Sequence, residues 1–154
     1  MTETIEDLYN YVKVSETIAT AGQPTESQFA TIKDAGYQMV LNLALPTSSN
    51  AVATEQDLVE SLGMEYCPIP VQWENPTLDD IEQFFATMQA NHDRQVLVHC
   101  AANMRVSAFI YLYRILCQKV DPTLAMADLH QIWTPNEIWQ QFIDCVIQKY
   151  TGST

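Results

Sequence analysis

Basic residues are scarce in this chain. Its 154 residues include seven Lys and Arg against nineteen Asp and Glu, a formal charge of −12. Such a balance repels nucleic acid and anionic membrane surfaces at long range, so neither is expected as a partner. Paired cysteines are missing as well. Cys67, Cys100, Cys117 and Cys145 are dispersed, with no CxxC pair and no Cys/His spacing of a zinc site, so no metal and no other cofactor is expected. The acidic start, Met1-Thr2-Glu3-Thr4-Ile5-Glu6-Asp7, lacks a basic region followed by an apolar stretch. Neither a signal peptide nor a membrane span is expected, and a reducing cytoplasm is the default compartment. Repeats and low-complexity segments are absent too.

A hydrophobic content of 47% is enough to bury one continuous core. A single domain over 1–154 is expected, with its core over about 15–150. Turn and cap signals fall at intervals suited to alternating strands and helices. Ala21-Gly22-Gln23-Pro24 reads as a turn, and Thr25 with Gln28 has capping-box spacing for a first helix. Tyr37 to Leu43 reads as a strand, Val52 to Leu62 as a helix ending at Gly63, and Met64 to Val71 as extended chain. Thr77 with Asp80 opens a helix whose Ile81, Phe84, Phe85 and Met88 share one face. Gln95 to His99 is an apolar run too brief for a helix. From Arg105 to Cys117 apolar residues surround most of a helix, which marks it as central. Asp121-Pro122 and Thr134-Pro135 each place a cap before a proline, opening two C-terminal helices. Strands separated by helices imply an α/β fold with a mainly parallel sheet covered on both faces.

The stretch from Val96 through His99 and Cys100 to Ser107 carries the most chemical information. It reads as a buried strand delivering a cysteine into a small-residue loop that opens a helix. Backbone N–H groups of such a loop, and the positive end of the helix behind it, favour a thiolate and cradle phosphate or sulfate oxygens. In open parallel sheets ligands sit outside the carboxyl ends of the strands, where Cys100 falls. Arg105 is one of only three arginines and lies five residues after Cys100. It is expected to supply the main charged contact to an oxyanion. Cys67, Cys117 and Cys145 read instead as buried small hydrophobes. His92 reads as a turn residue and His130 as a surface or packing residue of a late helix. Trp73 suits either a pocket lining or a plug over the sheet edge.

Gly22-Gln23-Pro24, the strand ending in Asn42-Leu43, and Val98-His99-Cys100 resemble, in order, the small bacterial members of the cysteine-dependent phosphatase superfamily. The likeness is to dual-specificity phosphatases and covers roughly residues 15–150. It implies a single-domain dual-specificity-phosphatase-like fold in which Cys100 attacks phosphorus and Arg105 binds the equatorial oxygens. It also implies a carboxylic acid in the loop before the preceding helix, where Glu74 is the nearest candidate. Ala101, Ala102, Asn103, Met104, Val106 and Ser107 would form the phosphate-binding loop. His99 and Gln23 would stand behind it, His99 shaping the loop and Gln23 orienting water.

The loop itself departs from that pattern. The phosphatase signature has five residues between cysteine and arginine, and here there are four, Ala101 to Met104. Aligned on Cys100, the glycine position holds Asn103, the arginine position Val106 and the hydroxyl position Ser107. Asn tolerates the left-handed conformation, so Asn103 can replace that glycine. Arg105 is one residue early, which on a helix turns its side chain by about 100°. The expected activity is hydrolysis of a phosphomonoester, on a phosphorylated small molecule or phosphoprotein, through a cysteinyl-phosphate. Two alternatives stand beside it: a non-catalytic oxyanion binder, and a sulfurtransferase resembling rhodaneses, some of which have a four-residue loop.

Overall fold

The computed structural model describes residues 3–152. One sheet contains β1 (Val12–Lys13), β2 (Ile18–Ala21), β3 (Met39–Asn42), β4 (Glu65–Pro68) and β5 (Val96–His99) in the order β1-β2-β5-β3-β4. β1 pairs antiparallel with β2, and the other three pairings are parallel. β5 is therefore the central strand. Six α-helices cover the sheet: α1 (Gln28–Asp34), α2 (Glu55–Ser61), α3 (Leu78–Ala90), α4 (Met104–Leu116), α5 (Pro122–His130) and α6 (Glu137–Thr151). Among the described residues no helix is long and apolar enough to cross a membrane.

The pleat decides which helices each strand residue meets, because successive side chains point to opposite faces. Val96 and Val98 of β5, with Met39 and Leu41 of β3, pack into a core with Phe84, Phe109, Trp139 and Phe142 from α3, α4 and α6. Leu97 and Val40 point the other way, towards Phe29 and Ile32 of α1 and Val59 of α2. Both faces of the central strands are buried, which is why these segments read as apolar runs without alternation. His99, two residues beyond Leu97, is carried to the α1/α2 face, with its ring edge-on to Phe29 at 6.3 Å. Cys100 joins the opposite core.

Several caps act as their spacing predicts. Thr77 accepts from Asp80 N–H and Asp80 accepts from Thr77 N–H, closing the box that starts α3. Asp121 accepts from Thr123 N–H with Pro122 opening α5. α6 differs: Thr134-Pro135 does not cap it, and Asn136 does, accepting from Trp139 N–H at 2.9 Å. α1 also starts later than its box suggests. The Gln28 side chain accepts from Thr25 N–H, but Ser27 holds the cap position without a side-chain bond. The cysteines need correction too, since Cys67 and Cys117 are half-buried against the core and Cys145 is exposed. Cys67 and Cys145 lie on an edge strand and an outer helix face, where little covers them.

The crossover from β5 to α4 turns on one residue. Asn103 caps α4 with φ 67° and ψ 2°, the left-handed region expected for it. Its Nδ2 donates to Asn10 O at 2.8 Å and to Thr20 Oγ1 at 3.0 Å, while the Thr20 hydroxyl donates to Val12 O. Two acceptors on that side fix which end of the amide faces them.

Two expectations follow from this arrangement. Asn103→Gly keeps the backbone conformation but loses both tethers, and should cost about 1–3 kcal/mol. Asn103→Ala should cost about 1 kcal/mol more, because a Cβ is strained at that φ. Urea denaturation checks both contributions: Asn103→Gly as stable as the wild type would show that the tethers do not matter, and Asn103→Ala no less stable than Asn103→Gly would show that the strain does not. Tyr37, buried beneath α1 and next to Tyr11, has its phenol pushed up to about 12, burial being the larger cause. A raised folded value means that its contribution to stability is complete below pH about 10, the unfolded value, and is lost as pH rises through about 12. Alkaline absorbance titration should show a late-ionising tyrosine that disappears in Tyr37→Phe.

Candidate active site

Cys100 follows the last residue of β5 and is buried, with 1% of its surface exposed. The peptides after it are turned by donors from three other segments. Ala101 O accepts from Gln23 N–H at 3.1 Å and from Asn50 Nδ2 at 3.0 Å. Ala102 O accepts from Asn10 Nδ2 at 3.0 Å. In a trans peptide the N–H points opposite to the C=O, so the N–H groups of Ala102 and Asn103 face away from these donors. Among the described residues, N–H groups from Ala101 to Val106 find no acceptor, and the first helical bond of α4 runs from Ser107 N–H to Asn103 O. Several unpaired donors thus surround the segment that starts at Cys100, joined by the positive end of a thirteen-residue helix.

Gly22 lets the Gly-Gln-Pro turn reach this loop. A Cβ there would lie 2.9 Å from Ala101 O and 2.5 Å from the Tyr9 ring, so no larger residue fits without displacing the loop or Tyr9. The motif is a buttress: Gly22 permits the approach and the Gln23 backbone holds the carbonyl.

The three arginines divide clearly. Arg94 pairs with Glu65 and Arg114 with Asp128, each at 2.6 Å. Arg105 is 6% exposed and donates to the neutral carbonyl of Val71 at 2.9 Å, with no carboxylate in ion-pair range among the described residues. A buried guanidinium without a counter-ion is costly unless an anion arrives. Its bond to Val71 also pins the start of the segment that carries Glu74.

The remaining expected residues are distributed as follows. Met104 opens α4 and is half-buried, and Val106 is buried in the core. The Ser107 hydroxyl donates to Met104 O and accepts from Trp133 Nε1 at 3.1 Å. Glu74 is exposed, in a shallow groove with Asn75, Pro76, Ile138 and Phe142. Trp73 caps an aromatic cluster, its ring 5.3 Å from Trp133 and 5.9 Å from Trp139, and its carbonyl accepts from Trp139 Nε1. His92 and His130 are exposed.

Asn10 and Asn50, which hold the loop carbonyls, escape sequence reasoning, and so does a carboxylate behind the loop. Glu55, the first residue of α2, is 3% exposed and accepts from His99 Nε2 at 2.5 Å and from Gln23 Nε2 at 2.9 Å. An acid in the first turn of a short helix normally signals only a favourable dipole contact, and nothing local marks this one as buried. Beside it, a cleft of about 260 Å³ opens between the ends of β3 and β4 and the segment before α2, lined by Asn42, Leu45, Pro46, Glu55 and Tyr66.

The family model described as DSP-PTPase phosphatase fused to NAD+ Kinase matches residues 3–141. No curated protein sequence matches the chain. Among solved structures, a DUF442 protein from Shewanella putrefaciens CN-32 is 35% identical, with a TM-score of 0.85 over 95% of this chain and 96% of that one. P. aeruginosa TpbA is 16% identical, with a TM-score of 0.73 over 94% and 90% of the two chains. The core catalytic domain of the PP-IP phosphatase SIW14 from S. cerevisiae is 15% identical, with a TM-score of 0.75 over 94% and 90%. The last two likenesses concern the fold. With a family model spanning nearly the whole chain and a 35% identical relative along its length, the protein belongs to the DSP-PTPase family of phosphatases found fused to NAD+ kinase.

Proposed function

We propose that the protein hydrolyses phosphomonoesters through a cysteinyl-phosphate on Cys100. The observation that carries this reading is the uncompensated Arg105 guanidinium in the first turn of the helix that receives a loop of unpaired N–H groups. That combination lacks one component, a small multivalent oxyanion. The Cys100 thiolate attacks phosphorus as the ester oxygen departs, and the N–H donors and Arg105 stabilise charge on the equatorial oxygens. Water then cleaves the S–P bond, releasing phosphate and restoring the thiolate. Glu74 is the proposed donor of a proton to the leaving oxygen, from the loop that Arg105 and Trp139 anchor.

Solved relatives of the same fold include TpbA in complex with pTyr and PTPMT1 in complex with PI(5)P. Both ligands are phosphomonoesters, one aryl and one alkyl, which supports phosphorylated substrates as the class for this chain. The Cys-x4-Arg spacing favours a second reading, sulfur transfer. There Cys100 would take the outer sulfur of thiosulfate as a persulfide, releasing sulfite, and pass it to cyanide as thiocyanate.

An aryl phosphate such as p-nitrophenyl phosphate should be turned over, and Cys100→Ser should abolish that turnover. Thiosulfate:cyanide activity without phosphate release would replace the first reading with the second. Bound phosphate with neither activity would point to a non-catalytic binder. Arg105→Lys should lower kcat/KM roughly 10- to 100-fold, since a hydrogen bond to a charged group is worth about 1.5–3 kcal/mol and an ammonium cannot reproduce the guanidinium fork. Glu74→Gln should leave p-nitrophenyl phosphate hydrolysis nearly unchanged and slow an alkyl phosphate by about 10²–10⁴-fold, the range of general acid catalysis. Equal effects on both substrates would remove Glu74 from that role.

A further inference from the structure

The geometry points to Glu55 as a positioning residue that sets the orientation of the two peptides that follow Cys100. This rests on the reading of Cys100 as the nucleophile. Each carboxylate oxygen has its own partner: Oε2 takes the Nε2–H of His99 at 2.5 Å, and Oε1 takes the Nε2–H of Gln23 at 2.9 Å. Those two residues then act on consecutive carbonyls. His99 Nδ1 lies 3.3 Å from Cys100 O, and Gln23 N–H donates to Ala101 O at 3.1 Å. One carboxylate therefore stands behind both peptides that flank Ala101, Cys100–Ala101 and Ala101–Ala102.

The chemistry of this position requires an acceptor on both sides. An ionised carboxylate accepts and does not donate, so Glu55 requires a proton on His99 Nε2, and the ring holds Cys100 O as well only as an imidazolium, with a second N–H on Nδ1. An amide of the same shape would present one NH2 end. That end would face either His99 Nε2–H or Gln23 Nε2–H, donor against donor, and one link would open. Gln23 has a second acceptor, Pro24 O at 3.0 Å, which holds its amide in this sense. His99, Glu55 and Gln23 are 0%, 3% and 7% exposed, so water does not readily substitute for a lost partner.

The strand pleat and the helix start bring the three together from distant segments: Gln23 after β2, Glu55 at the head of α2 and His99 at the end of β5. Among the described residues Glu55 makes no side-chain hydrogen bond to Cys100 or to the N–H donors of the loop. Its influence passes through His99 and Gln23 to where the two carbonyls point, and hence to where the opposite N–H groups point.

Glu55→Gln tests the inference on the full chain. Turnover of p-nitrophenyl phosphate should fall in kcat by roughly 10²-fold, the scale of a misplacement of about 1 Å in a reacting group. KM should change much less. In a background of His99→Asn with Gln23→Met, which removes both links, Glu55→Gln should have little further effect on kcat; a full additional loss would overturn the route. A second measurement does not depend on phosphatase activity. Iodoacetamide labelling of Cys100, resolved from the other cysteines by mass spectrometry, should be slowed by inorganic phosphate in the wild type and much less in Glu55→Gln. Should wild type lack turnover, the phosphatase reading fails on its own, and the labelling result alone decides the role of Glu55. Wild-type kcat, or wild-type protection by phosphate in the absence of turnover, would overturn the inference. If Glu55→Gln does not fold, Gln23→Met removes one of the two links while keeping the backbone N–H; it should lower kcat or protection in the same direction, and unchanged values would again overturn the proposal.

Discussion

The peptide joining Ala101 to Ala102 is gripped from two directions. Gln23 N–H and the Asn50 side chain both take its carbonyl, and a peptide so held cannot rotate without abandoning both. The direction of the free N–H groups after Cys100 depends on that hold, because an inward-turned carbonyl would put a negative dipole where an oxyanion is proposed to bind. Gly22 supplies the space for the grip, and Asn103 supplies the left-handed turn that lets α4 begin immediately afterwards. Neither would have a purpose in a loop free to choose its peptide orientation.

Charge follows the same logic of local arrangement. The chain carries a formal −12, yet the Debye length at physiological ionic strength is about 8 Å, so distant carboxylates act weakly on the loop. What counts is which charges lie within a few ångströms. Arg94 and Arg114 have carboxylates there, and Arg105 has a carbonyl. An acidic protein can thus present one positive spot without becoming basic elsewhere. The buried Glu55 is kept from opposing that spot by its two donors, which face its oxygens from His99 and Gln23.

How much of this is legible in the sequence depends on whether the signal is local. The central strand, the cap of α3, the Cys100 loop and the left-handed Asn103 all follow from neighbouring residues, through apolar runs, cap spacing and conformational preference. β1 and β2 do not, because Val12-Lys13 is too short for a pattern and Ile18-Ala19-Thr20-Ala21, with one large apolar side chain, owes its burial to β5 alongside. Thr134-Pro135 has the form of a helix start, but Asn136 offers a cap two residues later and the helix takes that one. Asn10, Asn50 and Glu55 were out of reach for one reason. None belongs to a motif in its own segment, and only the fold shows that each meets the loop or the residues behind it. The four-residue spacing is visible in sequence; the consequence for Arg105, a buried fork bound to Val71 O, is visible only in three dimensions.

The indole cluster has a practical consequence. The chain has three tryptophans, and Trp73, Trp133 and Trp139 all pack against one another, with ring centres 5.3–6.2 Å apart. Trp133 is one hydrogen bond from Ser107, in the first turn of α4. Indole emission from this molecule therefore comes from one side of the sheet and reports whether α6, the Trp73 segment and the head of α4 remain docked together. The opposite face, with Phe29, Tyr37 and Tyr66, is dark to that signal. Indole emission follows one layer, whereas tyrosine absorbance reports both, Tyr111 and Tyr113 lying in the indole layer and Tyr37 and Tyr66 in the other. The two unfolding curves therefore coincide only when the whole domain melts as one unit.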